Sequence, residues 1–200
     1  MDLLVPDTHT RNTTGPTDML SRRGLLRAGA GLLLLPMAGG MAEVAEAASR
    51  LHGRALAFEH LHTGETLTIV YKVGRHFVPS ALSRLQTLLR DFRTGEKHAM
   101  DPALYDMLWR IREDTGASRP FEIVSAFRSP RTNALLRRRS RQTGVAEHSL
   151  HLKGQAIDIC VTGTPLKALQ QAALDLKAGG VGYYPQPGFL HIDTGRVRHW

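Results

Sequence analysis

The sequence has 200 residues and a hydrophobic content of 42%, which is ordinary for a globular protein and suggests a single domain. Its formal net charge of +8 indicates an anionic partner, either nucleic acid, a membrane surface or an acidic polymer, and charge alone does not choose among them. The single cysteine, Cys160, excludes an internal disulfide, and its apolar neighbours predict a buried, unreactive thiol.

Residues 1–47 have the pattern of a twin-arginine export signal: Arg22 and Arg23, a Gly- and Leu-rich apolar stretch, and small residues at the end. A membrane anchor is the alternative, but Pro36 and the many Gly and Ala residues suit a bilayer span poorly. We therefore expect a cleaved signal and a mature periplasmic protein, residues 48–200, without stable membrane insertion. Outside the cytoplasmic membrane the anionic polymer is the cell wall, which argues against nucleic acid as a partner.

Residues 48–200 are predicted to form one α+β domain, with helices first and then a small sheet built from the second half of the chain. Ser80 is the candidate cap of the first helix, and Asp101 caps the second, which has proline at its first position. In chain order we predict a β-hairpin over Arg54–Val73, helices over Val78–Arg93 and Asp101–Gly116, a strand over Phe121–Phe127, a basic helix over Ser129–Arg141, a strand over Gln155–Gly163, a helix over Thr164–Gly180 and two strands within Gly180–Gly195.

His151 and Asp158 stand on either side of a predicted turn at Gly154, so their side chains can converge. Asp158 lies in an apolar strand, where a carboxylate needs a partner because an unpaired buried charge is costly. Imidazole and carboxylate are zinc ligands. His191, on another apolar strand, is the candidate third ligand. Three protein ligands leave a fourth position open, as in catalytic zinc sites, although satisfied structural histidines remain the alternative.

The segments around these residues resemble the murein endopeptidase K family, within the group of zinc D-Ala-D-Ala carboxypeptidases and murein endopeptidases. The resemblance covers roughly residues 54–200. The group's motif is Ser-x-His, six residues, Asp and a distant His, which matches Ser149, His151, Asp158 and His191.

The resemblance implies one zinc ion held by His151, Asp158 and His191, with water made nucleophilic by the metal. It implies hydrolysis of amide bonds in the peptide cross-links of peptidoglycan, either as an L,D- or as a D,D-endopeptidase. It also implies a mainly antiparallel sheet flanked by helices, of the hedgehog/D-Ala-D-Ala peptidase type. We expect the protein to be a monomer.

The neighbours of the motif have predicted roles as well. Relatives carry a base close to the last ligand, but residues 186–190 contain none. Asp193 shares a strand face with His191 and is either the catalytic base or a residue that orients His191. Arg128 resembles the family's substrate-side arginine, and Ser125 is a candidate substrate contact. Ser149 is likewise a candidate substrate-binding residue, and we also expect it to fix the loop that carries His151.

Two other functions compete with the peptidase. The missing upstream base favours a non-catalytic, zinc-containing cell-wall-binding domain. A basic nucleic-acid binder would need an uncleaved N-terminus and no metal. The basic run at residues 137–141 has no stacking aromatics, which makes it a poor case for base contacts.

Overall fold

The computed structural model describes residues 52–139 and 145–200. The predicted export signal lies outside the described residues. The elements in chain order are β1 Gly53–His60, β2 Thr66–Val73, β3 His76–Phe77, α1 Pro79–Leu88, α2 Pro102–Thr115, β4 Phe121–Ser125, α3 Pro130–Arg139, a 3-10 helix Leu150–Lys153, β5 Ala156–Cys160, α4 Leu166–Asp175, β6 Gly180–Tyr184, β7 Phe189–Asp193 and β8 Arg198–His199.

One eight-stranded sheet contains all the strands of the described residues, in the order β3-β2-β1-β4-β5-β7-β6-β8. The pairs β1–β4 and β6–β8 are parallel and the other pairs are antiparallel. The α+β class and the mainly antiparallel sheet are thus confirmed. The predicted small sheet from the second half of the chain is wrong. The first hairpin joins the same sheet because β1 pairs with β4, where Phe58 aligns with Phe121.

The hydrophobic core lies on one face of this sheet. Alternate strand residues such as Ile123, Ile157 and Ile192 are fully buried and belong to one cluster with residues of α1, α2 and α4. Successive residues of a strand point to opposite faces, so Asp158 and His191 lie on the other face. The sheet therefore carries its packing on one side and its polar residues on the other.

Two helix starts show how local sequence sets the ends of these elements. The Asp101 side chain accepts a hydrogen bond from the Ala103 amide, and α2 ends at Gly116 in the left-handed conformation, as predicted. The predicted Ser80 cap of α1 is wrong: the cap residue is Val78, without a side-chain hydrogen bond. Pro79 occupies the first helical position, so Ser80 already lies inside the first turn.

Among the described residues, no helix is both long enough and apolar enough to cross a bilayer.

Candidate metal centre

Three strands bring Ser125, Asp158 and His191 into one row across the sheet. Asp158 of β5 aligns with His191 of β7 and with Ser125 of β4. The β4–β5 register shifts between Ile123 and Ser125. Such an irregularity re-aims the strand, so Ile123 faces the core while Ser125 joins the row on the polar face. Residues far apart in sequence thus become neighbours through strand pairing.

His151 reaches the same point from the 3-10 helix beside the sheet. The Ser149 side chain caps this helix by accepting the His151 amide at 3.4 Å, as the predicted loop-fixing role requires. The segment that follows β4 holds His151 twice. The Ala126 carbonyl lies 2.6 Å from His151 Nδ1, and the Arg128 amide donates to the His151 carbonyl at 3.2 Å. His151 is 2% exposed, so its ring has little freedom to turn away.

Three ligand atoms converge at this point: His151 Nε2, Asp158 Oδ1 and His191 Nδ1. The two nitrogens are 3.2 Å apart, and Asp158 Oδ1 lies 2.8 Å from His191 Nδ1 and 3.3 Å from His151 Nε2. Because the Ala126 carbonyl only accepts, the His151 proton belongs on Nδ1. The Asp193 carboxylate likewise accepts from His191 Nε2 at 3.1 Å. The nitrogens that face Asp158 therefore carry lone pairs, which repel unless a cation or a proton lies between them.

The donor set and its spacing fit zinc. Zinc–nitrogen bonds of about 2.0–2.1 Å in a tetrahedron place ligand atoms about 3.3 Å apart. The observed separations of 3.2, 3.3 and 2.8 Å are close to that value. These three residues also form a group of potential ligands whose atoms lie within 4.8 Å of one another. The predicted ligands are thus brought together with the spacing that the metal requires.

Burial and charge act together on the titration of these groups. Burial by itself would raise the pKa of Asp158, but His151, His191 and Arg128 hold it well below its usual range. Burial lowers the pKa of His151. Burial also opposes protonation of His191, yet hydrogen bonds to Asp158 and Asp193 leave its pKa raised. The centre is therefore anionic at Asp158 and attracts a positive charge.

Arg128 and Ser125 are joined behind Asp158. The Arg128 guanidinium donates to Asp158 Oδ2 through Nη2 and to Ser125 Oγ through Nε at 2.8 Å. The pair leaves Asp158 Oδ1 directed at the two histidines. The Arg128 side chain is 14% exposed, and two of its guanidinium nitrogens are bonded within the protein. Both predicted residues thus lie at the site: Arg128 contacts the candidate ligand Asp158 directly, and Ser125 contacts Arg128.

Asp193 is fully buried on the side of His191 that faces away from Asp158. Its Oδ1 accepts from the Gly180 and Gly195 amides, at 3.1 and 2.9 Å. Arg198 donates to both carboxylate oxygens, at 2.9 and 2.7 Å, and His191 Nε2 donates to Oδ2. Burial would raise the pKa of Asp193, but the bonds from His191 and Arg198 lower it below its usual range. Of the two predicted roles, this arrangement favours the orientation of His191.

Four residues near the site were not predicted from the sequence: Arg198, Trp200 and two glycines of β6. A Cβ on Gly180 would lie 2.3 Å from the Arg198 guanidinium, and one on Gly182 would lie 2.7 Å from the Trp200 indole. Both glycines therefore let large side chains cross the strand and reach Asp193 and His191. The sequence signal was present, because alternating glycines within a strand mark the close approach of other groups.

Three further residues with potential ligand atoms, His60, His62 and Cys160, do not belong to this group of ligands in the described part of the chain. The His62 ring stacks on Phe92, with ring centroids 4.2 Å apart, and His60 is buried beside them. Cys160 is only partly buried, and its thiol donates to Glu122. Burial and the Glu122 carboxylate raise the pKa of Cys160 to about 12, which agrees with the predicted unreactive thiol.

The fold and the site define the class of this protein, an α+β domain with a His–Asp–His candidate metal centre. A peptidase family model, described as peptidoglycan L,D-endopeptidase MepK, matches residues 48–200. The chain belongs to this family, which confirms the resemblance seen in the sequence.

Individual relatives agree with the family match. The peptidoglycan L,D-endopeptidase MepK of Escherichia coli (strain K12) is 44% identical over 147 residues, which cover 74% of this chain and 80% of the relative. The probable peptidoglycan L,D-endopeptidase MepK of Haemophilus influenzae is 43% identical over 148 residues, covering 74% of this chain and 78% of the relative. No solved structure gives a significant match to this chain.

Proposed function

We propose that this protein is a zinc-dependent peptidoglycan endopeptidase that hydrolyses amide bonds in peptide cross-links. The observation that carries the proposal is the convergence of His151 Nε2, Asp158 Oδ1 and His191 Nδ1, in a chain 44% identical to a peptidoglycan L,D-endopeptidase. The names of the relatives favour the L,D bond over the D,D bond.

In this proposal His151, Asp158 and His191 hold one zinc ion. When bound, zinc supplies a Lewis acid that polarises a carbonyl and makes water nucleophilic near neutral pH. The protein contributes the orientation of its ligands: the Ala126 carbonyl sets the tautomer of His151, and Asp193 sets that of His191. Because both rings are held by a second hydrogen bond, the site needs little rearrangement to bind the metal.

Arg128, Ser125 and Ser149 complete the proposed site. Arg128 balances the charge of Asp158, and its side chain, which is 14% exposed, would bind a carboxylate of the stem peptide. Ser125 accepts a hydrogen bond from the Arg128 side chain and lies in the ligand row, from which it would contact the substrate. Ser149 acts on substrate binding through the loop that presents His151.

A non-catalytic, zinc-containing cell-wall-binding domain is the second candidate. The observation that favours it concerns the base: both oxygens of Asp193 are engaged by Arg198, and one of them also by His191. An engaged, buried carboxylate is a poor acceptor for a proton from water. This candidate keeps the metal and the peptidoglycan partner and loses the hydrolysis.

We also propose that residues 1–47 direct twin-arginine export, so that residues 48–200 act in the periplasm as a monomer with no nucleic-acid partner. The family match begins at residue 48, next to the proposed cleavage point. We assign the domain to the hedgehog/D-Ala-D-Ala peptidase type on its ligand motif and its α+β class. Replacement of Arg22 and Arg23 by lysine should retain the protein in the cytoplasm, as measured by cell fractionation.

Digestion of purified peptidoglycan sacculi tests the main proposal. We expect cross-linked dimers to fall to monomers with zinc present, and to persist with a chelator or with the His151→Ala variant. Mass spectrometry of the monomers identifies the bond. Dimers that persist although the wild type binds one zinc per chain would reject the hydrolase and favour the wall-binding domain.

A further inference from the structure

Trp200 presents an exposed aromatic ring beside the candidate metal centre. Its side chain is 48% exposed, and its ring centroid lies 5.3 Å from that of His191. Single exposed apolar side chains are common on protein surfaces, so the exposure of Trp200 does not by itself indicate a partner. Its position next to His191, a proposed metal ligand, indicates that the partner is the substrate of the metal centre.

The Trp200 backbone and side chain are both held to β6. The Trp200 amide donates to the Val181 carbonyl at 3.2 Å, and the Tyr183 amide donates to the Trp200 carbonyl at 3.0 Å. The indole Nε1 donates to the Tyr184 hydroxyl at 2.8 Å. The Arg198 guanidinium lies 4.9 Å from the indole ring, while it also binds Asp193. The indole is therefore positioned before any ligand arrives.

Gly182 provides the space that this position needs. It aligns with His191 in the β6–β7 pair, so the ligand row continues through a residue without a side chain. A Cβ at Gly182 would lie 2.7 Å from the Trp200 ring. The indole thus lies over β6 and borders His191. Tyr184 and Phe189, stacked with centroids 4.6 Å apart, extend the aromatic surface along the same strands.

The distance to His191 limits what the indole can touch. The Trp200 ring lies about 5 Å from the ring of His191, a proposed zinc ligand. A substrate group that packs on the Trp200 ring therefore belongs to a residue next to the scissile amide, and not to a distant part of the polymer. A flat aromatic face suits aliphatic C–H groups, and a pre-positioned ring loses little conformational entropy on contact. A peptide residue with an extended aliphatic chain meets these conditions.

We propose that Trp200 contacts the substrate and determines specificity by packing its ring against the aliphatic side chain of the residue beside the scissile amide. This inference rests on the proposed function. Tyr184 holds the indole at its nitrogen, and Gly182 keeps the space below it open. The contact is made to the peptide and not to the glycan strand.

Soluble cross-linked stem peptides, cleaved by the full chain with zinc, test this inference. Trp200→Ala should lower kcat/KM roughly 10- to 100-fold, mainly through KM, which is the range for losing one apolar substrate contact. It should also remove the preference for a substrate with the full aliphatic chain over one with that chain shortened. Gly182→Ala keeps the tryptophan but displaces its ring, so we expect a similar change in KM.

Binding is measured separately from cleavage by fluorescence. The chain has two tryptophans, so the Trp109→Phe variant leaves Trp200 as the sole reporter and serves as the matched control for cleavage. We expect its emission to shift when a soluble peptide binds, and zinc affinity to be the same in the Trp200→Ala variant and the wild type. An emission shift without any hydrolysis by the wild type would reject the proposed activity and keep the Trp200 contact.

Three results would overturn the inference about Trp200. One is a Trp200→Ala variant with unchanged kcat/KM and unchanged chain-length preference. Another is an activity loss that follows a loss of zinc affinity, which would make the residue structural. The third is a Trp200 emission that responds to free glycan strands and not to peptides.

Discussion

Asp193 shows how a neighbouring side chain bears on which of two predicted roles a residue can fill. On the sequence it stands two positions after His191, where either a base or an orienting group is expected. In the fold, the Arg198 side chain crosses β6 above Gly180 and binds both carboxylate oxygens of Asp193. A carboxylate held in this way stabilises the proton on His191 Nε2 and fixes Nδ1 as the atom that faces Asp158.

We predict that Asp193→Asn lowers zinc affinity about 10- to 100-fold, because the substitution weakens the bond that sets the His191 tautomer. Competition with a chelating indicator measures the affinity. Asp175→Asn, on the exposed end of α4, is the matched control and should bind zinc like the wild type. Unchanged zinc affinity together with a large fall in kcat would instead identify Asp193 as the base.

At the scale of elements, the 3-10 helix that carries His151 depends on one close approach. Gly154 ends this helix in the left-handed conformation at φ 65°. A Cβ there would lie 2.2 Å from the Ala99 carbonyl oxygen. The Gly154 carbonyl also accepts the Asp101 amide at 2.8 Å, at the start of α2. The presentation of His151 is therefore tied to the segment that precedes α2.

Gly154→Ala should destabilise the protein and reduce its zinc affinity. A left-handed alanine costs about 1–2 kcal/mol, and the overlap with the Ala99 backbone adds to this. Urea denaturation and zinc titration measure the two effects. Gly116→Ala is the control because φ is 64° there and no atom lies within 4 Å of the added Cβ. Equal losses of stability in the two variants would show that the contact with Ala99 does not matter.

The start of α3 is held by Asp91, which is 2% exposed. Its Oδ2 accepts the Ser129 amide at 2.8 Å, directly after Arg128 in the chain. Burial opposes ionisation, but hydrogen bonds from Thr132 and Ser129 lower the pKa of Asp91 below its usual value. Since the pKa is lower in the folded state, the ionised group stabilises the fold at neutral pH. This contribution is lost as the pH falls from about 4 through the folded-state pKa.

We predict that Asp91→Asn lowers the free energy of unfolding at pH 7 by about 1–3 kcal/mol. The two buried carboxylate oxygens accept backbone amides, and the substitution replaces one of these acceptors by a donor. The difference from the wild type should shrink in acid, where Asp91 is protonated in both states. Urea denaturation at several pH values measures it, with exposed Asp114→Asn as the control. A difference that stays constant from pH 7 to pH 3 would contradict the assignment of ionised Asp91.

At the scale of the whole molecule, the sheet links the candidate ligands to the core. Asp158 and His191 alternate with Ile157, Ile159, Leu190 and Ile192, all fully buried on the opposite face. Because a ligand that binds only the folded state stabilises it, zinc binding should add to the stability of the whole sheet.

Zinc at 100 times its Kd should raise the free energy of unfolding by about 2.7 kcal/mol, and a chelator should remove this gain. Thermal unfolding with and without zinc measures the effect. The His151→Ala variant should show a much smaller response, whereas His76→Ala, at the exposed strand β3, should respond like the wild type. An equal zinc response in all three proteins would show that the metal binds elsewhere.

Much of this organisation was predictable from local sequence patterns. The apolar segments around Asp158 and His191 predicted β5 and β7, and the Asp–Pro start and glycine end predicted α2. Asp158 was predictable as a ligand because a charged residue inside an apolar strand needs a partner, and the family motif made the full set of three ligands specific. The small sheet was predicted wrongly, since the pairing of β1 with β4 joins segments about 60 residues apart and leaves no local pattern.

By itself, the sequence determined the family, the strands that carry Asp158 and His191, and the three residues with metal-ligand chemistry. These features depend on residue type and short-range spacing. Only the tertiary structure decided what surrounds them: Arg128 bound to Asp158, Arg198 bound to Asp193, and Trp200 lying over Gly182. Those contacts depend on the strand register and on the side chains that cross β6 at its glycines. Both bring residues distant in sequence within hydrogen-bond or van der Waals distance.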